Sequence, residues 1–227
     1  MIETLKAIAW SNVVSILFGA ALSATVSYLL QRNSFAEARR LKDHDRYESR
    51  RAQAYSLFFK LIRIHSNIVL LGRAITESIG EAEKYGLGDA TLWQKIQPVG
   101  NLPPPVKFSS DEMALLLSLD TGLFNALGPY DEVHNSLLDV FELYKTKRQT
   151  LMERFGAKMT GSVGVTGLTQ SDADWMSPRA VELNGLAEVM LHRTNHDSDE
   201  AKSLLEQIHA LFVKQFKMNP RLEFKAD

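Results

Sequence analysis

An uncharged, mostly apolar stretch occupies residues 7–31 near the start of the chain. It is long enough to cross a bilayer, because about 20 helical residues at roughly 1.5 Å each span a hydrocarbon core of ~30 Å. Trp10 and Tyr28 lie near its two ends, where amphipathic aromatic rings favour the membrane interfaces. The pattern predicts a short N-terminus at residues 1–9 and a transmembrane helix at residues 10–31.

A signal peptide and a core helix are the alternatives to a membrane span for this stretch. Ala21-Leu22-Ser23 offers small residues at a spacing typical of signal-peptide cleavage, but apolar character continues to Leu30 and Glu3 lies in the leading segment. A buried core helix is the second alternative, because Ser, Thr and Asn residues make the stretch only moderately hydrophobic. The uncharged length and the arginines that follow favour the membrane span.

A highly charged segment follows the apolar stretch. Residues 35–51 combine six basic with four acidic side chains and few large apolar ones. This composition predicts a solvated juxtamembrane stalk at residues 32–51. The alternative is binding to anionic lipid headgroups, which the basic side chains would favour and the interleaved acids oppose.

Apolar residues then recur at helical spacing from Ala54 to Ala82, where the helix enters a folded domain. Residues 34–84 contain no proline, which predicts one long helix or two nearly collinear ones. Gly86 and Gly88 are expected to end it. The proline-containing stretch up to Phe108 predicts an extended connection.

The second half of the chain shows repeated helix-start signals. They are Ser109 with Glu112, Pro129 with Asp131 and Glu132, Ser177 with Pro178, and Asp197 with Glu200. No segment shows a sustained alternation of apolar and polar residues. The sequence therefore predicts an all-α protein with a single N-terminal transmembrane helix, a long juxtamembrane helix, a four- or five-helix bundle at residues 52–218, and a tail at residues 219–227.

The charge distribution predicts an orientation and disfavours one class of partner. Residues 1–85 carry 12 Lys and Arg against 8 Asp and Glu, whereas residues 86–227 carry 14 against 19. Lys6 is the only basic residue before the predicted span, whereas seven basic residues lie between Arg32 and Arg51 after it. The positive-inside rule therefore predicts a cell-membrane protein with its N-terminus outside and its main domain in the cytoplasm. The acidic distal part argues against nucleic-acid binding. Cysteine is absent, which excludes disulfides and thiolate metal sites.

Small residues recur every fourth position within the span. They are Ser11, Ser15, Gly19, Ser23 and Ser27. Each step drifts roughly 40° around an ideal helix, so one straight partner helix cannot contact all five. We predict self-association through Asn12, Ser15, Gly19 and Ser23, the subset that shares one face. The alternative is that each serine hydroxyl bonds to a carbonyl of its own helix.

Two segments invite a search for chemistry. His192 and His196 are four residues apart near Asp199, but the glutamate of a zinc-binding HExxH motif is missing. We interpret the two histidines as the last turn of one helix and the neighbouring acids as caps of the next. The glycine-rich residues 156–167 lack the Lys-Ser/Thr pair of a phosphate-binding loop and predict a flexible connection. His65 and His209 lie on apolar stripes and are expected in the core.

These patterns predict a single-pass, membrane-anchored helical interaction or regulatory protein that forms homo-oligomers partly through its span and binds an unidentified protein partner. No catalytic residue, cofactor or metal site is predicted. A membrane-perturbing effector whose gathered spans admit ions is the first alternative. A membrane-tethered, metal-dependent enzyme centred on His192, His196 and Asp199 is the second.

Overall fold

The computed structural model describes residues 2–155, 158–160, 163–165, 167 and 169–218. Six helices lie in this part of the chain: α1 (Ile2–Lys84), α2 (Leu92–Lys95), α3 (Ser110–Leu119), α4 (Thr121–Leu127), α5 (Tyr130–Arg154) and α6 (Gln170–Phe216). The prediction of an all-helical protein is confirmed at this level. The short helices α2 and α4 were not predicted.

A small hairpin corrects the prediction for the glycine-rich connection. Strand β1 (Lys158–Thr160) pairs antiparallel with β2 (Val163–Val165), with Met159 opposite Gly164. Each strand has only three residues, too few for alternation to be recognised in the sequence. Gly156 and Gly161 lie outside the described residues.

Contacts divide the chain into two units between Ala52 and Gln53. In the first unit, every residue from 22 to 50 is exposed. The second unit contains the hydrophobic core. Its largest fully buried side chains include Tyr130, Tyr144, Phe58, Phe141, Phe212, Leu57, Leu61, Ile64 and Ile68.

The end of α1 follows the prediction closely. Gly86 has a positive φ of 79°, which glycine adopts without the steric cost that a side chain would bring. Its N–H donates to the carbonyl of Glu83 at 3.0 Å, and the N–H of Leu87 donates to the carbonyl of Ala82 at 3.0 Å. These two bonds form a Schellman motif that satisfies the last carbonyls of the helix.

In the second unit, α1 and α6 pack side by side and run in opposite directions. The ring of Phe58 stacks on His209 at a centroid distance of 5.6 Å. Further along α1, a Cβ placed on Gly72 would lie 3.4 Å from Cβ of Thr194. The two helices therefore lie close together at Gly72, where a Cβ would just touch Thr194 and a larger side chain would crowd it.

Helices α5 and α6 also run antiparallel. Arg193 Nη2 donates to the carbonyl of Val133 at 2.6 Å, and Lys147 Nζ lies 2.9 Å from a carboxylate oxygen of Glu182. Near the start of α5, the Tyr130 hydroxyl donates to the carbonyl of Asp197 at 2.5 Å. These contacts place α5 and α6 against each other along most of α5.

The predicted extended connection lies along α5 and is held by its polar side chains. The N–H of Phe108 donates to Asp131 at 3.1 Å, and Lys145 donates to the carbonyl of Gly100 at 3.2 Å. Between these points, Asn135 hydrogen-bonds to both the N–H and the carbonyl of Val106. Side chains of a helix therefore replace the backbone partners that this segment lacks.

Helix α6 corrects two predicted helix starts. It begins at Gln170 after a capping box of Thr169 and Asp172, and it continues through Pro178. Asp197 does not begin a new helix, because it lies buried inside α6 and pairs with Arg193 one turn earlier. The prediction that Ser177 and Asp197 start separate helices was therefore wrong. For Asp197 the reason is that an acid also suits a helix interior when a basic partner is four residues away.

Candidate functional site

The first unit presents large apolar side chains on an exposed helix. Leu22 is 62% exposed and Leu30 is 63% exposed. The charged segment that follows also exposes large apolar side chains, including Phe35 and Leu41. Exposed apolar side chains in such numbers indicate a surface that contacts a membrane or another protein.

Length and composition alone do not separate this segment from the core. The portion of α1 from Leu22 to Lys84 contains an 18-residue window apolar enough to cross a membrane, and 44% of that window is buried. Because residues 22–50 are all exposed, the window must lie mainly in the packed part of the helix. A core helix of a soluble domain and a membrane span can have the same length and apolar composition. Support for a membrane anchor therefore comes from the uncharged residues 7–31 and from the exposed apolar side chains of the first unit.

Two of the four residues predicted to mediate self-association have surroundings that the structure describes. A Cβ on Gly19 would meet nothing within 4 Å, and Ser23 is exposed. The side chains of Asn12 and Ser15 lie outside the part that the structure describes. Association through these four residues stays a prediction.

The histidine pair lies in the interior of α6, so the prediction that it occupies a last helical turn was wrong. The rings of His192 and His196 stack at a centroid distance of 6.0 Å. Asp197 Oδ1 is 3.4 Å from His196 Nδ1, while its other oxygen accepts from Arg193 Nε at 3.2 Å. Asp199, the third residue of the metal hypothesis, is exposed. Over the described ranges, no group of three or more His, Cys, Asp or Glu residues is arranged to hold a metal ion.

Glu112 is the most buried carboxylate among the sites described here, and it links α3 to α1. It forms the predicted capping box by accepting from the N–H of Ser109 at 2.6 Å. It also accepts from the Ser56 hydroxyl at 2.6 Å and from Lys60 Nζ at 2.7 Å. Burial by itself raises the pKa of the Glu112 carboxyl, but these hydrogen bonds outweigh it and hold the pKa below its usual value.

Arg148 and Tyr144 of α5 bind the C-terminal end of α2. Arg148 Nη1 donates to the carbonyls of Trp93 and Ile96, and the Tyr144 hydroxyl contacts the same two oxygens at 3.0 Å and 2.7 Å. Burial raises the pKa of Tyr144, although the Arg148 guanidinium opposes the shift. Both side chains form hydrogen bonds with backbone carbonyls, so the role of this cluster is to hold α2 against α5.

His134 forms a third buried polar cluster. The ring is fully buried, with Nε2 3.2 Å from Asn67 Nδ2 and Nδ1 3.0 Å from Asn135 Oδ1. Asn135 also donates to the carbonyl of Val106 at 2.8 Å and accepts from the N–H of Val106 at 3.0 Å. The cluster connects α1, α5 and the extended segment. The sequence patterns did not identify His134 as a buried polar residue. The only sequence feature that could have pointed to a polar cluster is the neighbouring polar residue Asn135.

Trp175, near the start of α6, has two guanidinium groups over its indole ring. Arg154 lies 4.0 Å and Arg179 lies 3.8 Å from the centroid of the indole ring. Phe155 meets the same ring edge to face at 5.8 Å. These cation–π contacts fasten the end of α5 to the start of α6.

The comparisons with known proteins return nothing that assigns a role to these residues. No protein-family model, no curated protein and no solved structure matches the chain.

Proposed function

We propose that this protein is a single-pass, membrane-anchored helical interaction or regulatory protein that self-associates partly through its N-terminal helix. The observation that supports the proposal is the contrast within α1 between uncharged, exposed apolar residues near its start and a packed core segment further along. Transferring large apolar side chains from water into lipid is favourable by about 25 cal/mol for each Å² removed from water. The helical domain at residues 53–218 then supplies the surface that binds a protein partner in the cytoplasm.

The anchor and its orientation are tested by fractionation followed by protease accessibility. The full chain should stay with the membrane pellet after washing with alkaline carbonate, which releases peripheral proteins. Trypsin should degrade the main domain in inside-out vesicles and leave it intact in sealed right-side-out vesicles, because the basic residues after the span favour the cytoplasmic side. Release by carbonate, or protection in the inverse pattern, contradicts the proposal.

Self-association is tested by one substitution and a matched control within the same helix. Gly19→Ile adds a branched side chain to the predicted face and should lower dimerisation of the full chain in membranes, because close packing of helices needs small residues. Ala21→Ile is the control, since position 21 lies about 200° around an ideal helix from position 19. Crosslinking at a single introduced cysteine gives a clean readout, because the natural chain has none. Equal crosslinking of both variants would remove the role of the small-residue face.

A membrane-perturbing effector is the second candidate, favoured by the small hydroxyl residues of the same stretch. Several gathered helices could line a narrow wet path with Ser and Asn side chains. Induced expression should then dissipate the membrane potential, and Gly19→Ile should restore it. An unchanged membrane potential during expression contradicts this candidate while leaving the interaction protein untouched.

A further inference from the structure

A concave surface lies on one face of α1, where the predicted span passes into the charged stalk. Its lining residues are Tyr28, Gln31, Arg32, Phe35, Ala36 and Arg39. Residues spaced three and four apart share one face of a helix. The side chains of Tyr28 and Phe35 are 63% and 59% exposed. The surface therefore combines two exposed aromatic rings with two guanidinium groups.

The continuous helix moves the acids of the stalk away from this surface. Successive helical residues are rotated by roughly 100°, so Glu37 lies roughly 140° around the helix from Arg32 and 160° from Arg39. The other acids of the stalk come after Arg39, and they are Asp43, Asp45 and Glu48. Asp43 lies nearest to the same face, but no ion pair joins it to Arg39 in the described part of the chain. Acids that alternate with bases along the sequence are therefore separated from the two arginines on the folded helix.

The height of the two arginines above the bilayer core selects their ligand. With the span ending at residue 31, Arg32 lies about 1.5 Å and Arg39 about 12 Å further along the helix axis. Headgroups occupy roughly 5–8 Å outside each side of the hydrocarbon core. Helical side chains lean toward the N-terminus, so Arg39 leans back toward the membrane on its long stem. Both guanidinium groups can therefore reach the phosphates of the headgroup layer.

We propose that this surface binds the headgroup of an anionic phospholipid where α1 leaves the membrane, which rests on the membrane anchor proposed above. Arg32 and Arg39 hold the phosphate, because a guanidinium group matches phosphate oxygens in charge and geometry. Tyr28 and Phe35 cover the less polar part of the lipid below it, since aromatic rings favour this interface. The negative surface potential of the cytoplasmic leaflet agrees with the orientation predicted for the main domain.

The lipid-binding surface is compatible with self-association of the span. Gly19 lies nine residues before Tyr28 in the same helix. Nine residues correspond to two and a half turns, so the two positions lie on opposite sides of an ideal helix. A second copy packed against Gly19 therefore leaves Tyr28, Arg32 and Arg39 facing lipid. Each copy of an oligomer would keep its own headgroup site.

Native mass spectrometry of the full chain in detergent micelles, titrated with phosphatidylglycerol or phosphatidylcholine, measures the preference for anionic lipid. The natural chain should bind phosphatidylglycerol more tightly. Arg39→Gln should reduce this preference by about fivefold, the effect of one basic residue near an anionic surface. Arg40→Gln is the matched control, because it removes the same charge at nearly the same height but roughly 100° around the helix. Its preference should equal that of the natural chain.

The outcomes separate the headgroup site from the anchor itself. Equal binding of the two lipids by the natural chain, or equal losses in Arg39→Gln and Arg40→Gln, would overturn the headgroup site and leave the anchor in place. Binding of neither lipid, together with release by alkaline carbonate, would overturn both. Both substituted positions are exposed, so neither change removes a packed side chain of the fold.

Inorganic phosphate distinguishes a lipid headgroup from a free anion. Added to the same titration, it should lower the preference for phosphatidylglycerol no more than chloride of equal ionic strength does, because salt screens both alike. A larger loss with phosphate than with chloride would assign Arg32 and Arg39 to free phosphate and overturn the lipid proposal.

Discussion

The two parts of α1 differ in what surrounds them, although one continuous helix forms both. Residues 22–50 are exposed throughout, whereas eight positions between Ala54 and Leu71 are buried. The buried positions recur three and four residues apart, as expected of a helix with one face against a core. The exposed part has no comparable protected face.

This difference shows why apolar content does not identify a membrane span on its own. The packed part of α1 is apolar because it supplies the centre of the domain, with Phe58, Leu61 and Ile64 fully buried. The early part is apolar without such burial, which leaves lipid or another chain to cover it. The distribution of charge distinguishes the two parts of α1. Lys60 and Arg63 lie within the packed part, whereas residues 7–31 carry no charge.

The largest expected effect comes from a matched pair of leucines. Leu61→Ala removes a fully buried side chain and should lower the free energy of unfolding of the domain by about 2–5 kcal/mol. Leu30→Ala, at a position 63% exposed, should change it by less than about 0.5 kcal/mol. Urea unfolding of the full chain in micelles measures both. Equal losses would mean that the exposed part also stabilises the domain.

A matched pair of glutamates comes next. Glu112→Gln removes the charge that accepts from Lys60 and should lower the free energy of unfolding by about 1–3 kcal/mol. Glu48→Gln breaks the exposed pair with Arg51 at 3.6 Å and should have almost no effect.

The pH dependence of this difference has a definite sign. Because the pKa of Glu112 is lowered by folding, its contribution is present above its ordinary value of 4.5 and is lost as the pH falls through the folded pKa. The natural chain and Glu112→Gln should therefore converge in stability below that pH. A constant gap between them from pH 7 to pH 3 would contradict the assignment of the charge to this contact.

The smallest expected effect compares two glycines of the same helix. Gly72→Leu crowds Thr194 and should destabilise the domain by about 1–3 kcal/mol, offset in part by the better helix propensity of leucine. Gly19→Leu has open space and should leave unfolding of the domain unchanged. Thermal unfolding followed by circular dichroism measures the pair. Stabilisation by Gly72→Leu would show that the close approach to Thr194 is not needed.

Local signals in the sequence predicted several features correctly. The capping box of Ser109 and Glu112 and the glycine end of α1 involve hydrogen bonds between residues close in the chain. The acidic first turn after Pro129 follows from the helix dipole, which is also a local effect. The same kind of signal failed at Ser177 and Asp197, where a helix start and a helix interior look alike. What separates them is the contact of Asp197 with Arg193 and its burial in the core.

The polar clusters were beyond sequence reasoning because their members are far apart in the chain. Glu112 meets Ser56 and Lys60, His134 meets Asn67, and Arg148 meets the carbonyl of Trp93. Each pair is separated by more than 50 residues, so neither periodicity nor spacing relates them.

The amino-acid sequence by itself determined the helical class, the long first helix and its glycine end, because these depend on local propensities and on hydrogen bonds within a few residues. Only the tertiary structure decided which buried polar groups meet and which helices pack against the apolar face of α1. Burial and long-range hydrogen bonds are properties of what packs around a residue, and one continuous helix can therefore have one part in a core and another exposed.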